Sequence, residues 1–203
     1  MRAVWLILCA GCSFTLPAEQ PIGDGKPADG SADGPADAGI DAAVFDPAQC
    51  PAGYANTGIT SSPDSRYRLI DSDAAFAIHH VDCNDDKIGW THLVVLDTVQ
   101  EAQQIRATIT TRTYYAGVVQ PKSSGQPGNA WLRFDGVAMS PGLWQSGQPN
   151  DNNDSENNEQ NFAAADDNSG LLNDVSGTTS YRGVCECDGK PIPKSVSDTI
   201  AAE

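Results

Sequence analysis

Trp144-Gln145-Ser146-Gly147-Gln148-Pro149-Asn150 leads into a run of Asn, Asp and Glu with no large apolar residue before Phe162, and Leu171-Leu172-Asn173-Asp174 follows it. The side chains of this stretch offer amide and carboxylate oxygens at high density and almost nothing to bury, so it cannot build a core. It can surround a hard cation, because calcium takes six to eight oxygen ligands from carboxylates, amide carbonyls and water. An EF-hand loop does not fit. Counted from Asp151, the turn position that needs glycine is Glu156 and the position that needs the bidentate Glu is Phe162; counted from Asp166, that last position is Gly177. The connection from Gly136 to Gly170 is long for a compact domain, and such loops are usually functional or disordered.

The chain has 203 residues and a formal net charge of −15, with 27 acidic against 12 basic residues. This balance argues against a nucleic-acid partner, which would need a basic face. Arg2 followed by Ala3-Val4-Trp5-Leu6-Ile7-Leu8 reads as an export signal, too short to span a bilayer. Ala10-Gly11-Cys12 resembles the lipobox of bacterial lipoproteins, which makes Cys12 the expected lipidation site and residues 1–12 the signal. Cys9 stands where Leu is usual. The expected location is therefore the outer membrane or cell surface, with plain secretion as the alternative, and any membrane association runs through the lipid alone. Residues 13–46, nearly all Asp, Gly, Ala, Pro and Ser between Asp24 and Asp41, form an extended linker.

If Cys9 leaves with the signal and Cys12 takes lipid, Cys50, Cys83, Cys185 and Cys187 remain, and an even number in an exported chain implies two disulfides. Cys185 and Cys187 lie on one face of an expected strand and are poorly placed to join each other, so each should find an upstream partner. Tyr67–Ile70, Leu93–Leu96, Tyr114–Val119, Trp131–Phe134 and Tyr181–Cys187 read as strands. Asp73 is expected to cap a helix running to Cys83 with Ala74, Ala77, Ile78 and Val81 on its buried face. Thr98-Val99-Gln100-Glu101 is a capping box opening a helix to about Ile109 that buries Val99, Ala102, Ile105 and Ile109. Early helices followed by strands give an α+β class. The folded domain is expected over residues 47–189, with 190–203 a loose tail.

In their order, several of these stretches resemble the C-type lectin-like domain. They are Cys83 in the first helix, Gly89-Trp90-Thr91-His92-Leu93, Tyr115-Ala116-Gly117-Val118, Trp131 with Asp135-Gly136, Trp144 through Asn150, Leu172-Asn173-Asp174, and Val184-Cys185-Glu186. The resemblance covers roughly residues 50–188. It implies a fold of two helices with short antiparallel sheets and a long calcium-binding loop. It also implies a Cys83–Cys185 disulfide, which leaves Cys50 to pair with Cys187. The family often has a further disulfide across the long loop; Asn161 and Ser176 occupy those neighbourhoods here, and Leu172 replaces a tryptophan.

Carried over residue by residue, the resemblance implies one Ca2+ held by Gln148, Asn150, Glu159, Asn173 and Asp174, with Pro149 cis. Glu159-Gln160-Asn161-Phe162 is similar to the family's acidic stretch, and Glu156 is the alternative ligand. The same five residues would bind a sugar whose vicinal hydroxyls complete the ion's shell, their amides donating and Glu159 accepting. Gln148-Pro149-Asn150 is a hybrid of the family's mannose-type and galactose-type motifs, so it does not choose a sugar. Glu159 and Asp174 would be the only full charges, which points to weak calcium affinity. The expected function is a calcium-dependent carbohydrate-binding module at a bacterial surface; the alternative is a module of the same fold that binds a protein or other surface without sugar. His79, His80 and His92 read as structural, as do Trp131 and Trp144. No nucleophile–base pair or phosphate loop marks an enzyme.

Overall fold

A computed structural model describes residues 45–125, 127–152 and 159–203. The expected signal, Cys12 and nearly all of the linker lie outside the described residues, as does Glu156.

Three helices and one mixed sheet are built from these residues. Strand β1 spans Arg66–Ala74, helix α1 Phe76–Asp86, β2 Thr91–Leu93, α2 Val99–Thr108, β3 Tyr114–Val119, β4 Leu132–Arg133, β5 Phe162–Ala165, β6 Leu172–Val175, β7 Tyr181–Cys187 and α3 Lys194–Ala202. The main sheet order is β1-β7-β3-β5-β6, with β2 also on β7 and β4 on β3. Pairings are antiparallel except that β3 runs parallel to β7. The α+β class holds, and the sheet is mixed where purely antiparallel pairing was expected.

β7 is the hub. Its residues from Gly183 to Cys187 are buried, and it carries both disulfide cysteines, joined as Cys83–Cys185 and Cys50–Cys187. Both crosslinks are those the resemblance implies. The first ties α1 to the hub across 102 positions, nominally about 4–5 kcal/mol of chain-entropy stabilisation.

That crosslink also sets the face of α1. Phe76, His79 and Cys83 are buried, whereas Ile78 and Val81 are 61% and 54% exposed. The buried face expected from apolar spacing is therefore wrong by about half a turn. Cys83 must face β7, and residues one and two turns before it face inward with it. His79 Nε2 then meets Tyr181 O at 2.8 Å. Asp73 does not cap α1: it lies in β1, and the N-cap residue Ala75 makes no side-chain cap.

α2 starts as expected. Thr98 Oγ1 accepts from Glu101 N at 3.1 Å, but the Glu101 carboxylate accepts from Asp97 N, one residue before the cap. Ala102 and Ile105 are buried, while Val99 is 37% exposed and Ile109 is half-buried. Glu101 is fully buried and also accepts from Tyr67 and Ser62 hydroxyls. The tail expected to be loose is instead the helix α3, with Val196 fully buried. Within the long connection, Phe162-Ala163-Ala164-Ala165 forms β5 between β3 and β6, a strand not expected from so alanine-rich a sequence.

His92, on β2, is also structural. Its Nδ1 meets Leu93 O at 2.8 Å and its Nε2 meets Asp188 Oδ1 at 3.1 Å. Burial works to lower the His92 pKa, but the hydrogen bond to Asp188 and the nearby Glu186 charge outweigh it and hold the pKa above its ordinary value. Burial works to raise Asp188, but His92 and Lys190 outweigh it and pull its pKa down to about 2. Buried Glu186, which accepts from Ser65 Oγ and Val95 N, is pushed up to about 7, by burial first.

Candidate functional site

The stretch from Trp144 to Asn152 lies along β6. Trp144 bridges Leu172, Gln145 N donates to Leu172 O at 2.9 Å, and Gln148 N turns back onto Gln145 O at 3.0 Å. Gly147 takes φ +86°, a conformation that disfavours any side chain, and the Gln148–Pro149 bond is cis. Pro149 thus has the isomer that the resemblance implies.

Asp174, on β6, holds the far end of this turn. Its carboxylate is fully buried, and Oδ2 accepts from Asn150 N at 2.9 Å and Asp151 N at 2.5 Å. Burial raises its pKa, partly opposed by those two N–H groups. Asp151, at φ +46° and 1% exposed, continues the chain of bonds: its Oδ1 accepts from Glu159 N at 3.1 Å and Gln160 N at 2.8 Å. A non-glycine residue in the left-handed region is uncommon, and such strain tends to collect at functional sites. Asp151 thus fastens both ends of the loop whose middle, residues 153–158, lies outside the described residues. In sequence it is one Asp among many Asn and Asp, and only its backbone conformation and burial distinguish it.

The structure therefore brings Gln148, Asn150 and Asp174 into one neighbourhood. Asn173, half-buried, precedes Asp174 on β6. Glu159 is fixed by its backbone next to Asp151, but it is exposed and lines a groove with Asn152, Gln160 and Ser176. Gln148 lines a different depression, under Trp144.

Two buried oxygens here lack a hydrogen-bond partner among the described residues: Gln148 Oε1 and Asp174 Oδ1. Thr57 Oγ1 and Tyr114 OH, elsewhere in the fold, are bare as well, but a buried carboxylate oxygen without a partner is the costlier case. Gln148 Oε1 and Asp174 Oδ1 are hard oxygens, which suits calcium better than the softer metals. By this test the residues fit a calcium ion. Among the described residues, no three His, Cys, Asp or Glu side chains group to hold a metal; the candidate set depends instead on amide oxygens from Gln148, Asn150 and Asn173.

Where the family often has its loop disulfide, this chain makes another link. Asn161 Nδ2 donates to Glu203 Oε2 at 2.7 Å, and Glu203 Oε1 accepts from Lys122 N at 3.2 Å. Glu203 follows α3, and its side chain is 4% exposed. Nothing in the sequence of a tail expected to be loose pointed to this role.

No protein-family model matches the chain, and comparison with curated proteins gives no match. Solved structures do match. The human scavenger receptor C-type lectin carbohydrate-recognition domain is 21% identical with a TM-score of 0.55, covering 68% of this chain and 98% of its own. The C-type lectin CEL-I from Cucumaria echinata is 18% identical with a TM-score of 0.53, covering 68% and 96%. A calcium-independent type II antifreeze protein is 16% identical with a TM-score of 0.52, covering 68% and 92%. The fold is that of the C-type lectin-like domain.

Proposed function

We propose that this domain is a calcium-dependent carbohydrate-binding module, carried at a bacterial surface by lipid on Cys12 and the linker of residues 13–46. The observation that carries the reading is the pair of bare buried oxygens, Gln148 Oε1 and Asp174 Oδ1, on either side of the turn at Pro149. Gln148, Asn150, Glu159, Asn173 and Asp174 are the proposed ligands. Calcium, when bound, supplies coordination positions that two vicinal sugar hydroxyls can fill.

The protein's own groups do the rest. Asp174 holds the backbone of Asn150 and Asp151, and so orients the turn. The amides of Gln148, Asn150 and Asn173 are N–H donors for the hydroxyls, and Glu159 is the acceptor. Two donors and no carboxylate flank Pro149, so the motif leaves the choice between mannose-like and galactose-like sugars open. The role is binding, with no reaction invoked. The test is a glycan array with calcium and with chelator: bound glycans that vanish with chelator support the reading, and glycans that stay bound in chelator overturn it.

One observation favours a second reading, a module of the same fold that binds a protein or other surface without sugar. Glu159 lies in a groove with Asn152 and Ser176, whereas Gln148 lines the depression under Trp144. A protein with no calcium-dependent glycan on the array would fit that reading.

A further inference from the structure

Next to Pro149 lies a cavity of about 280 Å³ whose walls include Trp131, Trp144, Met139, Ala138, Pro149 and Gln148. Among the described residues, no charged side chain lines it. The Trp131 indole N–H is already used, donating to Pro127 O at 2.6 Å, so among the lining side chains only the Gln148 amide and the Trp144 indole N–H offer hydrogen-bonding atoms to a ligand. The two indoles pack edge to face with centroids 4.9 Å apart, and Trp131 is 4% exposed, so the wall is preformed. Little ordering cost would attend its filling.

We propose that this cavity is a second subsite, taking an apolar substituent of the carbohydrate held at the calcium site; the proposal rests on the calcium reading for its sugar half. Polarity, charge, size and position select this occupant. A bare sugar ring entering the cavity would lose water from its several hydroxyls and find only the Gln148 amide and the Trp144 N–H among the lining side chains, which is unfavourable, whereas an aryl, alkyl or methyl group loses nothing polar. A charged substituent would find no counter-charge. The size is sufficient: an apolar cavity of roughly 150 Å³ in another protein already holds benzene. Gln148 and Pro149 belong to both the turn at the candidate ion and the cavity wall. The group in the cavity and the hydroxyls at the ion therefore sit next to one another on one ligand. The ligand class is a glycan or glycoside bearing an apolar group, in place of an unsubstituted polar oligosaccharide.

The experiment titrates the full chain, in calcium, with methyl and phenyl glycosides of mannose and of galactose. The phenyl glycoside of the sugar that binds is expected to be tighter by about tenfold, as burial of roughly 60 Å² of apolar surface would give. Ala138 is exposed, so Ala138→Phe fills the cavity from its rim without entering the core; it is expected to bring the two glycosides to equal affinity. Equal affinities in the unaltered protein, or a preference that survives Ala138→Phe, overturn the subsite. If no glycoside binds in calcium, saturation-transfer NMR with the phenyl glycosides in chelator separates the two claims. Phenyl-proton saturation that Ala138→Phe abolishes keeps the cavity as an apolar subsite while the calcium reading falls. No saturation overturns both.

Discussion

Asp174→Asn separates the ion from the fold. The Asp174 side chain is fully buried, Oδ2 holds the N–H groups of Asn150 and Asp151, and Oδ1 has no partner among the described residues. Asparagine keeps one oxygen for the two backbone donors and replaces the bare, charged oxygen with an NH2 group. The ion-free protein should change in stability by less than about 1 kcal/mol, since the backbone hydrogen bonds survive. The response to calcium should not survive. With Glu159 and Asp174 as the only charged ligands, a dissociation constant of about 1 mM is expected, at the weak end of extracellular sites. At about 10 mM calcium, mass action then stabilises the folded state by about 1.4 kcal/mol. For a domain of this size that is a rise in Tm of about 3–6 °C. Thermal unfolding of both proteins, in calcium and in chelator, measures this directly. A variant that keeps the full calcium shift, or an unaltered protein that shows none at that concentration, refutes the reasoning.

Other outcomes follow from the same structure. Asp188→Asn should cost about 2 kcal/mol at pH 5 and above, because a carboxyl whose folded pKa is lowered to about 2 contributes stability above its unfolded pKa near 4 and loses it as pH falls through about 2; denaturant melts at pH 5 and pH 2 should show the difference between the two proteins disappear in acid. Glu203→Ala should cost about 1–3 kcal/mol by leaving Asn161 Nδ2 and Lys122 N without their acceptor. Hydrogen exchange should then quicken at Gln120 N, which donates to Asn161 O, and unchanged exchange there would remove the link between α3 and the base of the long loop. Gly117→Ala should destabilise the domain by about 1–3 kcal/mol, because an added Cβ would lie 2.6 Å from Leu93 O and 3.0 Å from the Phe134 ring; a melt within half a degree of the unaltered protein would contradict the packing described.

The failures of sequence reading share one cause. On α1 the apolar residues Ile78 and Val81 suggested the buried side, yet the helix is turned by the crosslink from Cys83 to Cys185, 102 positions away. On β5 three alanines gave no strand signal, because their strand character comes from lying between β3 and β6. At the candidate site, the spacing of Gln148, Pro149, Asn150, Asn173 and Asp174 was legible, whereas the role of Asp151 was not. Its two bonds to Glu159 N and Gln160 N exist only once the loop closes.

What the sequence determined by itself were the features whose cause lies within a few residues. The capping of α2 by Thr98, the extended runs that become β1, β3 and β7, and the Gln-Pro-Asn turn are of this kind. So is the supply of cysteines, though not their pairing, for which residue spacing left alternatives open. Tertiary structure alone decided which face of α1 is buried, that α3 folds back to give Glu203 to Asn161, and that Glu159 is anchored by its backbone while its side chain stays exposed. Local propensity and periodicity act over a turn or two of chain, whereas burial and long-range hydrogen bonds are properties of residues that meet only after folding.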